Sequence, residues 1–321
     1  MNSTELVTRV LKGEPMKRTP IYGWLKANMS EQIAARFGSV ENFEDEYEFD
    51  VAHLFGGPGH IPEDMLKRIY AHETITPEMV LDSPYNDPNI MSDYDDVVRQ
   101  LKHHKSRDRF CYLNTNGIFE CLNFVFGIEN HLMYMALYPD EMKEIYRRQA
   151  EWNRQFALNA IELGVDMIHI SDDWGAQNAL LFSPAMFRDM ILPNHKIIAD
   201  GVKSRGCFLS LHSDGNITQA LDGICEIGYD VIHPFQESAG MSYQLYLDKY
   251  ADKFGIMGGL CVQTTLGFGD YDRVERELRR VFSLLKEKRW IFCTTHFVQD
   301  HCSVDELVFA YDLARKLARG E

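Results

Sequence analysis

Leu209-Ser-Leu-His-Ser-Asp-Gly215 is the stretch that decides the fold. Phe208, Leu209 and Leu211 make an apolar, strand-forming run that ends in His212 and Asp214, and Gly215 releases the backbone towards a new helix. A buried parallel strand that opens onto polar side chains at its carboxyl end is the plan of α/β folds, whose sites lie at those ends. His-x-Asp alone is a weak signal. The same plan recurs, however, with short apolar runs at 20–24, 51–55, 110–114, 167–171, 207–212, 231–235, 255–259 and 290–295. They are near-continuous rather than alternating, which suits strands covered on both faces.

Helical patterns separate most of these runs. Residues 139–163 begin with Pro139, Asp140 and Glu141 and stop before Gly164, a sound start and stop for a helix. Ser183-Pro184 caps a helix running towards Gly206, with Pro193 expected to kink it. Further helices are expected at 216–227, 271–286 and 303–317, and Val274, Leu278, Val281 and Leu285 form one apolar stripe. Eight strands at about 40 residues per βα unit predict a single (β/α)8 TIM barrel over residues 1–321, with the long insertions in 60–105. A doubly wound sheet is the alternative, disfavoured because no Gly-rich phosphate loop is present.

Composition narrows the function. The 321 residues carry 45% hydrophobic and 25% charged side chains, an ordinary globular balance. A formal net charge of −15 and the lack of Lys/Arg clusters argue against nucleic acid as a partner. No apolar run approaches the roughly 20 residues that span a bilayer, and the polar N-terminus is unlike a secretory signal. Seven cysteines without CxxC spacing suggest reduced thiols. A cytoplasmic protein acting on a small molecule is expected.

In a barrel, the expected rim holds Trp24, Gly56-Gly57, Asn114, Asp172-Asp173, His212 with Asp214, Gln236-Glu237, Cys261 to Gln263, and His296. About half of such positions in any barrel would be solvated or would cap the next helix, and Asp172 and Asp173 could both be helix-entry residues. The other histidines show no partner spacing and are expected in packing or surface roles.

These residues carry a resemblance. Arg9-Val-Leu-Lys-Gly-Glu-Pro-Met-Lys-Arg-Thr-Pro20, Gly117-Ile-Phe-Glu120 with Gly127-Ile-Glu129, and Asp172-Asp-Trp-Gly175 leading to Ser183-Pro184 stand in order along the chain. Leu211-His-Ser-Asp-Gly215, Gly228-Tyr-Asp230, and Gly258-Gly259 ahead of Thr264-Thr-Leu-Gly-Phe-Gly269 follow. Together they resemble the uroporphyrinogen decarboxylase superfamily, which also holds cobalamin-dependent methyltransferases. The resemblance implies a (β/α)8 barrel.

It also implies one of two chemistries, and the chain departs from both. The decarboxylases carry an Arg-rich loop after the first strand for the propionates of a tetrapyrrole; here Gly23-Trp-Leu-Lys-Ala-Asn28 has one Lys and no Arg. The methyltransferases bind zinc through His-x-Cys and a later Cys, where this chain has His212, Asp214 and His296. That set retains three ligands for a catalytic zinc or another divalent metal, including non-haem iron, and its harder donors favour polarising a substrate heteroatom. His301 and Cys302 are alternatives to His296.

Two mechanisms are therefore expected. In one, a metal at His212, Asp214 and His296 activates a small methylated substrate for methyl transfer involving a corrinoid on a partner protein. Asp172 or Asp173 would donate a proton or anchor the substrate, and Trp24, Asn114, Glu120 and Gln236 would contact it. In the other, Asp172, Asp173 and His212 handle protons in a metal-independent lyase reaction. A binding protein without turnover is a third reading, and a homodimer is compatible with all of them.

Overall fold

The computed structural model describes residues 2–321. Seven strands form a parallel sheet whose order follows the chain: β1 (Val51–Leu54), β2 (Phe110–Asn116), β3 (Met167–Ser171), β4 (Phe208–His212), β5 (Val231–His233), β6 (Gly255–Leu260) and β7 (Trp290–Thr294). The fold is α/β and TIM-barrel-like, and every one of these strands falls on an expected apolar run.

The eighth expected strand, 20–24, shrinks to a single parallel bridge between Ile21 and Phe292. Main-chain bonds tie it on both sides, from Tyr22 N to Phe292 O, from Phe292 N to Pro20 O, and from Asp50 N to Ile21 O. Two further donors go to side chains, Ile21 N to Asp50 Oδ2 and Trp24 N to Thr294 Oγ1. Pro20 has no N–H to give. A run whose donors are taken by side chains cannot extend a ladder, so it holds a strand's place without a strand's length.

Two compact units can be distinguished. One comprises the chain up to Ala52, His104–Phe110 and Asp230–Glu321; the other comprises His53–His103 and Cys111–Tyr229. In the first, Arg18 donates to both carboxylate oxygens of the fully buried Asp50 at 2.7 Å. Arg109, also buried, reaches Glu44 and Asp45 at 2.7 and 2.6 Å. The Arg18-Thr-Pro20 end of the N-terminal motif is thus a clamp for the chain entering β1.

The second unit contains the helix Pro139–Leu163, whose end is closed by left-handed Gly164 donating to Ala160 and Ile161 carbonyls. The expected kink near Pro193 is realised one step earlier. A π turn, Phe187–Ile191, separates the single turn Pro184–Met186 from the helix Leu192–Ser204, which places Pro193 in a first turn where its missing N–H costs nothing. The expected insertions in 60–105 are the helices Glu63–Tyr70, Pro77–Asp82 and Asp95–Lys105 with a short 3-10 turn. Among the described residues no helix is long and apolar enough to cross a membrane, and no disulfide joins any two cysteines.

Candidate active site

The register of β2, β3 and β4 builds the site. Asn114 pairs with His169 and His169 with Ser210; two residues on, Asn116 pairs with Ser171 and Ser171 with His212. Side chains alternate across a strand and paired residues share a face, so these six make two polar layers on one face of the sheet. The intervening Leu113, Ile168, Ile170, Leu209 and Leu211 are fully buried. Alternation was present all along, concealed because both faces are covered.

Past the strand ends, the loop after β3 lies directly on the loop after β4. Asp172 N donates to His212 O at 2.9 Å and Trp174 N to Ser213 Oγ at 2.9 Å. Asp214 N donates to Asp173 Oδ1 at 2.7 Å, and Asn216 N to Ala176 O at 2.8 Å. Such an approach needs glycine on both sides. A Cβ on Gly175 would stand 2.4 Å from Asp214 O, and one on Gly215, where φ is +78°, would stand 2.6 Å from Ala176 O. The Asp-Asp-Trp-Gly and His-Ser-Asp-Gly motifs are two halves of one joint.

That joint brings acids to His212. Its Nε2 lies 3.7 Å from Asp173 Oδ1 and 3.8 Å from Asp214 Oδ1, too far for hydrogen bonds. Two ligand atoms on one tetrahedral ion, each about 2.1 Å from it, stand about 3.4 Å apart. His212 Nε2 and Asp214 Oδ1, at nearly this spacing, could be two ligands of one divalent cation. Glu120 completes the acidic group, accepting from Ser171 Oγ at 3.1 Å. Burial, with Asp173 and Asp172 adding repulsion, pushes its carboxyl up to about 7. Asp214 is likewise pushed up to about 7 by burial and by Asp173 and Glu120. Asp173 is raised by burial and by Asp172, although its bond from Asp214 N pulls the other way. A cavity of about 290 Å³ opens beside Glu120, lined also by His60, Asn116, Cys121, Phe124 and Ser171. No Arg or Lys lines it.

Asp172 has a different place from the one expected. It is fully buried, and Phe119 N and Glu120 N donate to Oδ1 at 2.9 and 2.7 Å. Trp174 Nε1 donates to Oδ2 at 2.7 Å, and His195 Nε2 stands 2.7 Å from the same oxygen. The far side of the His195 ring meets Tyr229 Oη at 2.6 Å. With every lone pair engaged, Asp172 is a positioning residue that fixes the start of the helix Glu120–Phe126, and so fixes Glu120.

The uroporphyrinogen decarboxylase (URO-D) family model matches residues 73–317. The chain belongs to the uroporphyrinogen decarboxylase family. Among solved structures it is similar to a methyltransferase from Methanosarcina mazei, at 13% identity over 98% of each chain and a TM-score of 0.74, which shows a shared fold. A remoter likeness is to a B12-independent methionine synthase from a Shewanella species, at 13% identity over 70% of this chain and 66% of that one, with a TM-score of 0.48. No curated protein is a significant match.

The remaining candidates expected from sequence divide between the units. Asn114 lies two residues deeper than the end of β2, which runs on to Asn116, so Asn116 is the asparagine lining the cavity. Trp24, Gln236 and His296 belong to the other unit. There Trp24 stacks on His233 with ring centroids 4.4 Å apart and lies 5.9 Å from the His296 ring. Gln236 is buried and heads the turn Glu237–Ala239, its carbonyl accepting from Ala239 N at 3.0 Å. His296 is held below the ordinary histidine range by burial. His301 and Cys302 pack at Gly267-Phe268; the His301 and Phe268 rings are 5.8 Å apart, and burial pushes the Cys302 thiol up to about 12.

His169 was missed by sequence reasoning. Its ring lies 5.9 Å from that of His212, and its Nδ1 is hydrogen-bonded to Ser210 Oγ. The available signal was its spacing, two residues before Ser171 on one face of β3. Other histidines do fill packing roles, such as His131, held between Asn123 Oδ1 and Tyr146 Oη at 2.7 Å each.

Proposed function

We propose that this family member is a metal-dependent methyltransferase that moves a methyl group between a small substrate and a corrinoid carried by a partner protein. The observation that carries the reading is His212 Nε2 flanked at 3.7 and 3.8 Å by the carboxylates of Asp173 and Asp214. His212 and Asp214 would hold a divalent ion with His296, the third ligand of the sequence-derived set; His169 and His233 are further buried histidines of suitable chemistry. When bound, the ion supplies Lewis acidity to the substrate heteroatom. Asp173 orients the site through its bond from Asp214 N. Glu120, with a carboxyl near neutrality, holds or releases a proton beside the cavity.

The acidic lining also bears on the substrate. Glu120 on the cavity lining, with the charges of Asp173 and Asp214 felt there and no Arg or Lys on the lining, would repel a polycarboxylate, whereas a cation or neutral molecule is admitted. A metal-independent carboxy-lyase is the second reading. It is favoured by one observation, the raised Glu120 carboxyl, which could protonate a carbanion at neutral pH. Metal analysis of the purified protein and of His212→Ala, with methyl transfer from methylcobalamin as the activity, separates the two. The proposal expects about one equivalent of metal in the parent protein and loss of both metal and transfer in the variant. Full activity in metal-stripped protein would overturn it.

A further inference from the structure

A second, smaller cavity adjoins the Glu120 cavity, and His60 and Ile61 are among the lining residues of both. Its surface is mainly apolar, with Met65, Val80, Leu122 and Val125 among the lining residues, and three of the residues around it, His60, Ser83 and Tyr85, are polar. His60 is 3% exposed, and its Nε2 has no hydrogen-bond partner. Ser83 Oγ and Tyr85 Oη are also buried without one. Buried polar atoms are rarely left unsatisfied, and three around a single hollow mark a place completed by something else.

The frame is firmly held. Arg148 donates to Leu81 O and Ser83 O at 2.8 Å, and its guanidinium lies 5.0 Å above the Tyr85 ring. Tyr85 meets the His60 ring edge-on at 5.4 Å, and Trp152 Nε1 fixes Asn86 O at 2.7 Å. The free volume is about 10 Å³, room for one water or a group of that size. Burial lowers His60 to about 4, so at neutral pH its ring is uncharged and the hollow offers no net charge to an ion. A neutral imidazole and two hydroxyls can each complement a hydroxyl, which both donates and accepts.

We propose that His60, Ser83 and Tyr85 form a hydroxyl subsite. It holds a buried water in the unliganded protein, and it takes a hydroxyl of a ligand whose remainder lies in the Glu120 cavity. The second half rests on the Glu120 cavity being the ligand pocket of the proposed enzyme; the first does not.

Ethylene glycol, a two-carbon diol, is the probe. Titrated into full-length protein with carbon-13-labelled histidine, it should shift the His60 Cε1–H resonance saturably. Ser83→Ala and Tyr85→Phe, each removing one hydrogen bond, should raise the apparent Kd about three- to tenfold. High-resolution crystals should show a water within bonding distance of all three groups, replaced by a glycol hydroxyl after soaking. The subsite is refuted by a dry cavity, by absence of a saturable shift, by unchanged Kd in both variants, or by glycol bound at crystal concentration only. Should a variant not fold, the parent crystals decide. His212→Ala should leave the His60 titration unchanged while losing metal and activity, so failure of the subsite and failure of the methyltransferase reading are distinguishable.

Discussion

Strands β2–β4 and strands β5–β7 share parallel pairing and an apolar sequence character, yet their paired positions differ in chemistry. In β2–β4 the registered layers are Asn114, His169, Ser210 and then Asn116, Ser171, His212. In β6 and β7 the registered pairs are Met257 with Ile291, Gly258 with Phe292, Gly259 with Cys293 and Leu260 with Thr294. The nearest polar side chains there turn to local partners, as His233 Nε2 does to Thr294 O at 3.0 Å. The loops repeat the contrast, since Asp172, Asp173 and Asp214 follow β3 and β4, while the His233, His296 and Phe297 rings pack around Trp24. A repeated βα plan does not distribute chemistry evenly. The residues on the shared face decide where it gathers.

The sharpest break of that comparison is a pair of substitutions. His212→Ala on β4 should lower methyl transfer more than about 10³-fold and empty the metal site, because a ligand and the neighbour of two acids are lost together. Met257→Leu on β6, a volume-conserving change in a buried strand, should leave the rate within about twofold. Equal losses in steady-state assays would erase the contrast.

Asp172→Asn comes next. Replacing one carboxylate oxygen by an NH₂ opposes the donors that converge there and should cost about 3–5 kcal/mol in urea unfolding. A stability change under about 1 kcal/mol would instead give Asp172 the proton-donating role expected from sequence. Gly215→Ala should cost about 1–3 kcal/mol, since the new Cβ meets Ala176 O at 2.6 Å on a left-handed backbone. The parent stability and metal content in that variant would dissolve the joint between the two loops.

Two pH effects are smaller. A metal must displace the proton that Asp214 holds up to about 7, so affinity should fall about tenfold per unit as pH drops below that value. Metal titrations at pH 6 and 8 check it. For metal-free protein, Glu120 is raised to about 7 in the folded state and is near 4.5 when unfolded. The folded chain thus binds the extra proton between those values, and stability should decline as pH rises through that window and level off above it. Glu120→Gln should reduce this slope in denaturation curves taken across the range, the remainder coming from Asp214, which burial raises in the same way.

Much of the fold was legible because it depends on local patterns. Seven apolar runs became the seven strands, and Pro139 and Gly164 marked a helix to the residue. The run 20–24 was legible as apolar but not as a bridge, because Asp50 and Thr294 side chains take its donors from far along the chain. At the site, His212, Asp173, Asp214 and Glu120 stood out as polar groups at strand ends or in motifs. His60, Ser83 and Tyr85 lay in a stretch that read only as insertion.

By itself the sequence determined the α/β class, the strand positions and the family, since hydrophobic runs, caps and ordered motifs act over a few residues each. Tertiary structure alone decided which polar groups work together. Register placed His169 beside Ser210 and Ser171 beside His212, and the Gly175–Gly215 contact set Asp173 and Asp214 around one imidazole. It also turned Asp172 inward to His195 and left Asp173 at the site, a division that two adjacent aspartates cannot reveal. The physical reason is that charge, burial and pKa depend on distances of a few ångströms between residues tens of positions apart, and only the folded chain sets those distances.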